Sequence, residues 1–300
     1  MPVMSVIATR VRAFVNADAP WSVEVYRGFR LVFGLYLLVH FAHLMPWAAE
    51  LFSNQGVLPD ASLSPYVRAL PNILGWYDAP WFCVAWVGLG AVLSAMLALG
   101  RGDRWAALLL WVIWASLFGR NPLISNPGLP YVGLLLIVHA LTPSAGALGQ
   151  PRPARWAMPM SLYAVVWILM AVGYSYSGLI KLGSPSWIDG SALTHVLAGP
   201  LARSGGLGAL LLGLPQPLLR ALTWGALGLE LGFVVVASSS RARPYVWAAG
   251  LLMHLSLMFL VDFVDLSFGM VMLHLFTFDQ RWLEGAARRR GVSAERGGRC

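Results

Sequence analysis

Lysine is almost absent from this sequence of 300 residues: 20 of its 21 basic residues are arginine, and the one lysine is Lys181. It lies where a long apolar segment ends, in the stretch 173–190 that reads GYSYSGLIKLGSPSWIDG. An ionisable group in hydrocarbon is costly, so such a residue in a membrane segment is a functional candidate. A lysine near the end of a segment can also extend its ammonium to the membrane surface. Lys181 is therefore predicted to be either a reactive group or an interfacial anchor.

Charged residues of both signs are scarce, at 11% of the chain, whereas 58% of the residues are hydrophobic. With a mean hydropathy of +0.67, this composition is typical of a polytopic membrane protein. A net charge of +8 would suggest a nucleic-acid partner for a soluble protein. Here the arginines cluster at the ends of apolar segments, as membrane orientation requires. We therefore expect the lipid bilayer as partner and no nucleic acid.

Cysteine is also rare, because only Cys83 and Cys300 are present, and this excludes a disulfide framework. The first twenty residues carry Arg10 and Arg12 but no long apolar run, which argues against a removable signal peptide. We find no internal repeat, and this disfavours a transporter built from inverted repeats. The first apolar segment is expected to serve as an uncleaved insertion signal.

Apolar segments recur along the chain at a length that favours transmembrane helices over barrel strands. The sequence therefore predicts an all-α, polytopic bundle of about eight transmembrane helices with no large soluble domain. We expect a cytoplasmic N-terminal segment at 1–20, a transmembrane domain at 21–283 and a basic, disordered cytoplasmic tail at 284–300. The eight segments fall at about 25–47, 79–99, 104–119, 129–142, 158–182, 219–238, 244–262 and 264–279.

Every second connection between these segments is rich in arginine, which by the positive-inside rule places both termini in the cytoplasm of an inner (plasma) membrane. The two long connections then lie on the opposite side. Residues 48–78 are rich in proline and aromatic residues, which suits an ordered interfacial cap. Residues 183–218 are apolar but broken by proline and glycine, which predicts an interfacial or re-entrant segment.

Candidate site residues gather around Lys181. Helical spacing places Ser177 one turn before it and Tyr174 on the same side, two turns before it. The hydroxyls either line a polar pocket or pack helices, and Gly178 lets another backbone approach. A desolvated lysine loses its proton more easily and can act as a base.

Glu230 and His254 are the other buried candidates, because each falls in the middle of an apolar segment. A carboxylate there must be protonated or paired, and His254 is a possible partner for Glu230. Gly228 and Gly232 flank Glu230 at a spacing that predicts close helix packing. The structural interpretation of His254 is a packing residue that is hydrogen-bonded to its neighbours.

Several other polar residues have a structural interpretation beside the functional one. Asn121 and Asn126 lie in a turn on the Lys181 side, where they either cap the next helix or join the pocket. Asp262 and Asp265 flank a short turn, where we expect solvated acids. His40 and His43 stand one turn apart on one helix, a spacing that does not by itself supply a haem ligand pair. No metal site is predicted.

Taken together, these pieces resemble the membrane domain shared by vitamin K-dependent gamma-carboxylases and bacterial HTTM (horizontally transferred transmembrane) proteins. The resemblance covers roughly residues 20–283, and the segment around Lys181 is its most specific part. The residues that carry it are Arg27, Arg30, Arg120-Asn121-Pro122 with Asn126, the run ending in Trp187 to Gly190, Glu230, His254 and the closing Phe276 to Trp282.

The resemblance implies an oxygen- and hydroquinone-dependent enzyme in which a lysine matching Lys181 is the base that starts hydroquinone oxygenation. The strong base so formed would remove a proton from a glutamate side chain, which then takes up carbon dioxide. The carboxylases carry a functional histidine where this chain reads Ser125-Asn126-Pro127, and a substrate-binding soluble domain after the membrane part. Both departures argue against peptide carboxylation and leave a quinone site as the expectation.

Two functions follow from these observations. The first is a carboxylase-like, quinone- or lipid-linked redox enzyme with Lys181 as base, Glu230 and His254 as catalytic partners and a vitamin K-like quinone or hydroquinone as cofactor. Its pocket would include Tyr174, Ser177, Trp187, Asn121 and Asn126. The alternative is a non-catalytic membrane protein that binds or transports a lipid or small molecule, with Lys181 as an anchor and the protein partner unknown.

Overall fold

The computed structural model describes residues 20–69, 71–262 and 264–283. The predicted tail at 284–300 and all but the last residue of the predicted segment 1–20 lie outside the described residues. Within the described part the chain is helical, and its β features are isolated bridge residues, such as the bridge between Ala202 and Val261. The all-α prediction is thus confirmed there.

The long helices coincide with the predicted apolar segments to within a few residues. The helices of the first half of the chain are α1 (Val23–Leu44), the short α2 (Ala48–Phe52), α3 (Pro80–Leu99), α4 (Asp103–Arg120) and α5 (Leu129–Leu141). In the second half they are α6 (Met160–Lys181), the short α7 (Pro185–Ile188), α8 (Ala192–Ala198) and α9 (Gly206–Leu212), then α10 (Gln216–Ser238), α11 (Arg243–Leu260) and α12 (Val264–Thr277).

Four of the described helical runs are long and apolar enough to cross a membrane: Val23–Phe52, α3, α6 and α10. This is fewer than the eight expected. At a rise of about 1.5 Å per residue, α5 and α12 reach only about 20 Å, against a hydrocarbon core of about 30 Å. The 18-residue α4 carries three charged residues, Asp103, Arg104 and Arg120. Length and charge therefore separate these helices from the four clear spans.

The described chain divides into two compact units. The N-terminal unit comprises Val23–Trp156 and residues 264–273, and the C-terminal unit comprises residues 20–22, Ala157–Asp262 and residues 274–283. Helix α12 contributes its first ten residues to one and its last turn to the other.

In the N-terminal unit, α1 packs closely against α3. A Cβ added at Gly34 would lie 2.5 Å from the backbone nitrogen of Ala98, so only glycine permits this approach. A buried ion pair between Arg30 and Asp103, 3.0 Å apart, joins α1 to α4. The buried Arg120 side chain donates to Asp78 and to the Ser53 carbonyl, which ties the connection at 48–78 to the end of α4.

In the C-terminal unit, α6 and α10 form the central pair. A Cβ at Gly178 would lie 2.8 Å from the Leu231 backbone nitrogen, so the two backbones are almost in contact there. Ser175 reinforces the contact, because its hydroxyl donates to the Leu231 carbonyl and accepts from the Val234 amide. The close packing expected at Gly228 and Gly232 is wrong: an added Cβ would meet nothing within 4 Å at Gly228 and only the tip of the Val236 side chain at Gly232.

The connection at 183–218 folds into three short helices, α7 to α9, rather than a single segment. Part of its apolar surface is covered by protein, because Leu197 is buried together with Leu219 of α10 and Leu260 of α11. Leu201 and Leu210 remain more than half exposed. Backbone bonds from Arg203 to Leu260 and from Asp262 to Leu201 fix it further. The connection is therefore an ordered part of the C-terminal unit.

Candidate functional site

Lys181 is the last residue of α6, and its ammonium is held by three side chains. Its Nζ donates to Ser177 Oγ at 2.8 Å, one turn earlier on the same helix, as the helical spacing predicts. It also donates to Glu230 Oε2 of α10 at 2.5 Å. The ring of Trp187, from α7, lies 5.0 Å from the same nitrogen, close enough for a cation–π interaction.

The pair formed by Lys181 and Glu230 is largely withdrawn from solvent. The exposed fraction of the side chain is 23% for Lys181 and 9% for Glu230. The contact at Gly178 brings α6 and α10 together beside this pair, since its nearest neighbours include the backbone and Cβ of Glu230. The partner of Glu230 is therefore Lys181, and the prediction that His254 fills this role is wrong.

Asp189 adds a second carboxylate in the connection that carries Trp187. Its side-chain oxygen accepts a hydrogen bond from the Ser191 amide at 2.8 Å. The side-chain and backbone hydrogen bonds of Ser191 lower the pKa of Asp189 from its usual value. The carboxylate therefore stays ionised in this turn.

Tyr174 is not one of the three side chains described against Lys181 Nζ, and it belongs to an aromatic cluster in the C-terminal unit. Its ring stacks on Phe233 with centroids 4.2 Å apart, and its hydroxyl lies 3.4 Å from His274 Nε2. The His254 ring is 5.7 Å from Tyr174 and 6.1 Å from His274. Gly250 makes room for the cluster, since an added Cβ would lie 2.9 Å from His274 Nε2 and 3.1 Å from the Tyr174 hydroxyl.

His254 is unusual in this cluster because neither ring nitrogen has a hydrogen-bond partner within the described part of the chain. The residue is only 6% exposed. A buried polar group left unsatisfied costs about 1–3 kcal/mol, and a neutral imidazole has one donor and one acceptor to satisfy. The structural interpretation of His254 as a hydrogen-bonded packing residue is therefore wrong. His254 is free to bond a polar group of a ligand.

Asn121 and Asn126, also predicted to line the pocket, belong to the N-terminal unit and bond within it. The Asn121 amide donates to the Leu51 carbonyl at 2.7 Å and its oxygen accepts from the Leu123 amide. The Asn126 oxygen accepts from the Gly128 amide at 2.8 Å, just before α5. These bonds are the capping and turn contacts that formed the structural interpretation.

A polar cluster in the N-terminal unit is centred on Asp265, for which the sequence predicts a solvated acid. Its carboxylate accepts from Tyr36 at 3.1 Å and from Asn126 at 3.3 Å, and it pairs with His40 Nδ1 at 3.0 Å. His40 also packs on the Trp114 ring, with centroids 4.7 Å apart. The expectation of a solvated acid is wrong for Asp265. It is right for Asp262, whose side chain is 76% exposed beside Arg203.

The C-terminal unit thus holds two functional groups of different character, a paired lysine and an unpaired imidazole. No group of three or more metal-ligating side chains occurs among residues 20–69, 71–262 and 264–283. The chain matches no known family model, curated protein or solved structure. The likeness to the HTTM proteins therefore stays a hypothesis, and function has to be inferred from these side chains.

The chemistry available to the Lys181–Glu230 pair is proton transfer. An amine and a carboxyl group in contact share one proton, and the pair is electrically neutral whether it is ammonium with carboxylate or amine with carboxylic acid. Burial penalises the charged form of each group, while their mutual attraction favours it. In the neutral form the amine is a base, and in the charged form the two groups are an ion pair.

Proposed function

We propose that the protein is a carboxylase-like, quinone-linked membrane enzyme that uses Lys181 as a general base. In this proposal all eight long helices cross an inner membrane and both termini are cytoplasmic. The four clear spans support a membrane location. The cofactor would be a quinone or hydroquinone of the vitamin K type, and the resemblance to gamma-carboxylases and HTTM proteins supports this choice.

The observation that carries the proposal is the contact of the only lysine with a buried carboxylate at 2.5 Å. A purely anchoring lysine would extend its ammonium toward water. Lys181 instead turns to Glu230 and Ser177, where it is mostly covered. In a site that shields its ionisable groups from water, a proton can pass from one of these groups to the other.

A bound hydroquinone would supply two electrons and two protons to molecular oxygen, leaving quinone and hydrogen peroxide. Lys181, as a neutral amine with the proton of the pair on Glu230, would accept one phenolic proton and later return it. While it holds that proton, its ammonium would donate to Ser177 Oγ and to the phenolate oxygen, and Glu230 would keep its own proton. The two buried His254 nitrogens, one donor and one acceptor, suit the second oxygen of such a ligand.

A second candidate function rests on the same contacts. If the proton stays on Lys181, the pair is a neutralised ion pair that holds α6 to α10, and the protein binds or moves a lipid or small molecule without catalysis. The three partners that hold Nζ favour this alternative, because together they stabilise the ammonium form.

The experiment that separates the two functions measures hydroquinone oxidation under oxygen by the purified protein in detergent. The variants are Lys181→Arg, which keeps the charge but cannot act as a base near neutral pH, and Lys181→Ala. The matched control is Arg220→Ala in α10, which removes an exposed cation near the same connection. Activity lost in both Lys181 variants but retained in the control supports the base.

Equal activity in all four proteins, or none in the unmodified protein, would contradict the enzyme proposal. Quinone binding without turnover would then favour the binding protein. Helical circular dichroism of each variant shows that lost activity is not lost folding.

A further inference from the structure

A groove in the C-terminal unit lies at the opposite end of α6 from Lys181. We propose that it binds one acyl chain of an anionic phospholipid, whose phosphate is held by Arg243. The inference goes beyond the proposed function and does not depend on the chemistry of Lys181.

The groove is formed by α6 and α10 and has a volume of about 350 Å³. Helix α6 lines it with residues three and four apart from Met160 to Val172, and α10 adds Val234, Ala237 and Ser238. Twelve residues of helix correspond to about 18 Å, close to half of a hydrocarbon core of about 30 Å. This length suits one acyl chain in one leaflet.

The groove is open to its surroundings along an apolar edge. Ile168 is 59% exposed, Val172 50% and Val234 40%. Since α6 and α10 are both long and apolar enough to cross a membrane, this edge would meet lipid. A chain can therefore enter the groove sideways from the bilayer.

One end of the groove carries a fixed cation. Arg243 Nε donates to the Ala237 carbonyl at 2.9 Å, and its guanidinium carbon lies 5.6 Å from the Trp167 ring. These contacts fix the plane of the guanidinium but use only one of its five donors. No acidic side chain forms an ion pair with Arg243 among the described residues, and Asp279 pairs instead with Arg281.

The combination of groove and cation selects the ligand. A guanidinium binds a phosphate through two parallel hydrogen bonds, and the apolar groove holds the chain attached to it. The groove lining contains no acidic residue. It therefore offers no carboxylate to the ammonium of a zwitterionic headgroup, and an anionic phospholipid is the best match for Arg243.

The test compares binding of phosphatidylglycerol, phosphatidylcholine and inorganic phosphate to the detergent-purified protein by native mass spectrometry. The variants are Arg243→Gln, Ala164→Phe to fill the groove, and the control Arg241→Gln. Arg241 is exposed, two residues away and outside the lining. Because hydrogen bonds to charged groups are among the stronger ones, we expect Arg243→Gln to weaken phosphatidylglycerol binding about tenfold to a hundredfold.

We expect Ala164→Phe to reduce binding as well, although it leaves Arg243 intact, and Arg241→Gln to bind like the unmodified protein. Equal loss in both arginine variants would mean general attraction of anions and would overturn the proposal. Phosphatidylcholine bound as tightly as phosphatidylglycerol, or inorganic phosphate bound as well as the lipid, would also overturn it. The Ala164→Phe variant keeps the test decisive if Arg243→Gln does not fold.

Discussion

At the scale of single residues, the Lys181–Glu230 pair determines how much a substitution at either position lowers the stability of the C-terminal unit. Each group is stabilised by the other, so removing one leaves a covered charge without its counter-charge. Loss of one partner of a buried pair costs about 3–5 kcal/mol, whereas replacement of both by apolar residues is often close to neutral. The 23% exposure of Lys181 lowers the first figure, because water screens a charge that it reaches.

We therefore predict that Glu230→Leu and Lys181→Met each lower the thermal unfolding midpoint, and that the double variant recovers much of the loss. The measurement is helical circular dichroism on heating in detergent, analysed as a double-mutant cycle. Additive losses would show that the two groups do not interact, contrary to the 2.5 Å contact.

Part of this site could be predicted from the sequence. The contact of Ser177 with Lys181 follows from helical spacing, and the isolation of Glu230 in an apolar segment shows that it needs a partner. The identity of that partner depends on how α6 crosses α10, and periodicity does not reveal the crossing. Gly250 stands one turn before His254, a spacing that indicates space beside the imidazole, but only the packing shows that His274 fills it.

Asp262 and Asp265 also show that a sequence pattern does not identify contacts between distant parts of the chain. They lie three residues apart beside one turn, and the sequence alone gives no reason to treat them differently. The structure pairs Asp262 with Arg203 at an exposed position and surrounds Asp265 with donors from α1 and from the turn before α5. Those donors are distant in the chain, so no local pattern could identify them.

At the scale of elements, the approach of α6 to α10 depends on one glycine. We predict that Gly178→Ala destabilises the protein by roughly 1–3 kcal/mol, because an added Cβ would overlap the Leu231 backbone and backbone cannot move aside cheaply. The matched control is Gly228→Ala on α10, where the added Cβ meets nothing within 4 Å. There the gain in helix propensity, roughly 0.5–1 kcal/mol, is unopposed.

The measurement for this pair is the unfolding midpoint in detergent, with the two variants prepared identically. If Gly178→Ala were as stable as Gly228→Ala, the close approach of α6 and α10 would be contradicted. The sequence suggested that Gly228 and Gly232 carry the close packing, because small residues four apart are the usual signal. Which face of α10 meets α6 is set by the whole unit, and this is why the signal failed.

At the scale of the whole molecule, the helix boundaries were predicted well because apolar runs end at charged, glycine or proline residues. How many of these helices cross the membrane was predicted less well. Length or charge excludes α4, α5 and α12 from the clear spans, and the 18-residue α11, with polar residues such as Arg243 and His254, is not among them either. Short or charged helices can cross only where neighbouring protein covers them. Hydropathy along the sequence carries no information about such cover.

The proposed eight-span arrangement predicts that residues 121–128, between α4 and α5, lie outside the cytoplasm. An arrangement with only the four clear spans would leave them inside. A reporter that is active only outside the cytoplasm, fused after Ser125, is therefore expected to be active. The same reporter fused after Gln150 is expected to be inactive under both arrangements and serves as control. An inactive fusion at Ser125 would contradict the eight-span arrangement.

Because lysine is so scarce, Lys181 is the one lysine side chain that an amine-reactive reagent can modify. A reagent that attacks side-chain amines and dissolves in the membrane has one lysine in this sequence to modify. It reacts with the unprotonated amine, and only when the nitrogen is released from Glu230 and Ser177. The rate at which Lys181 is modified therefore reports how often the ion pair opens, without any mutation.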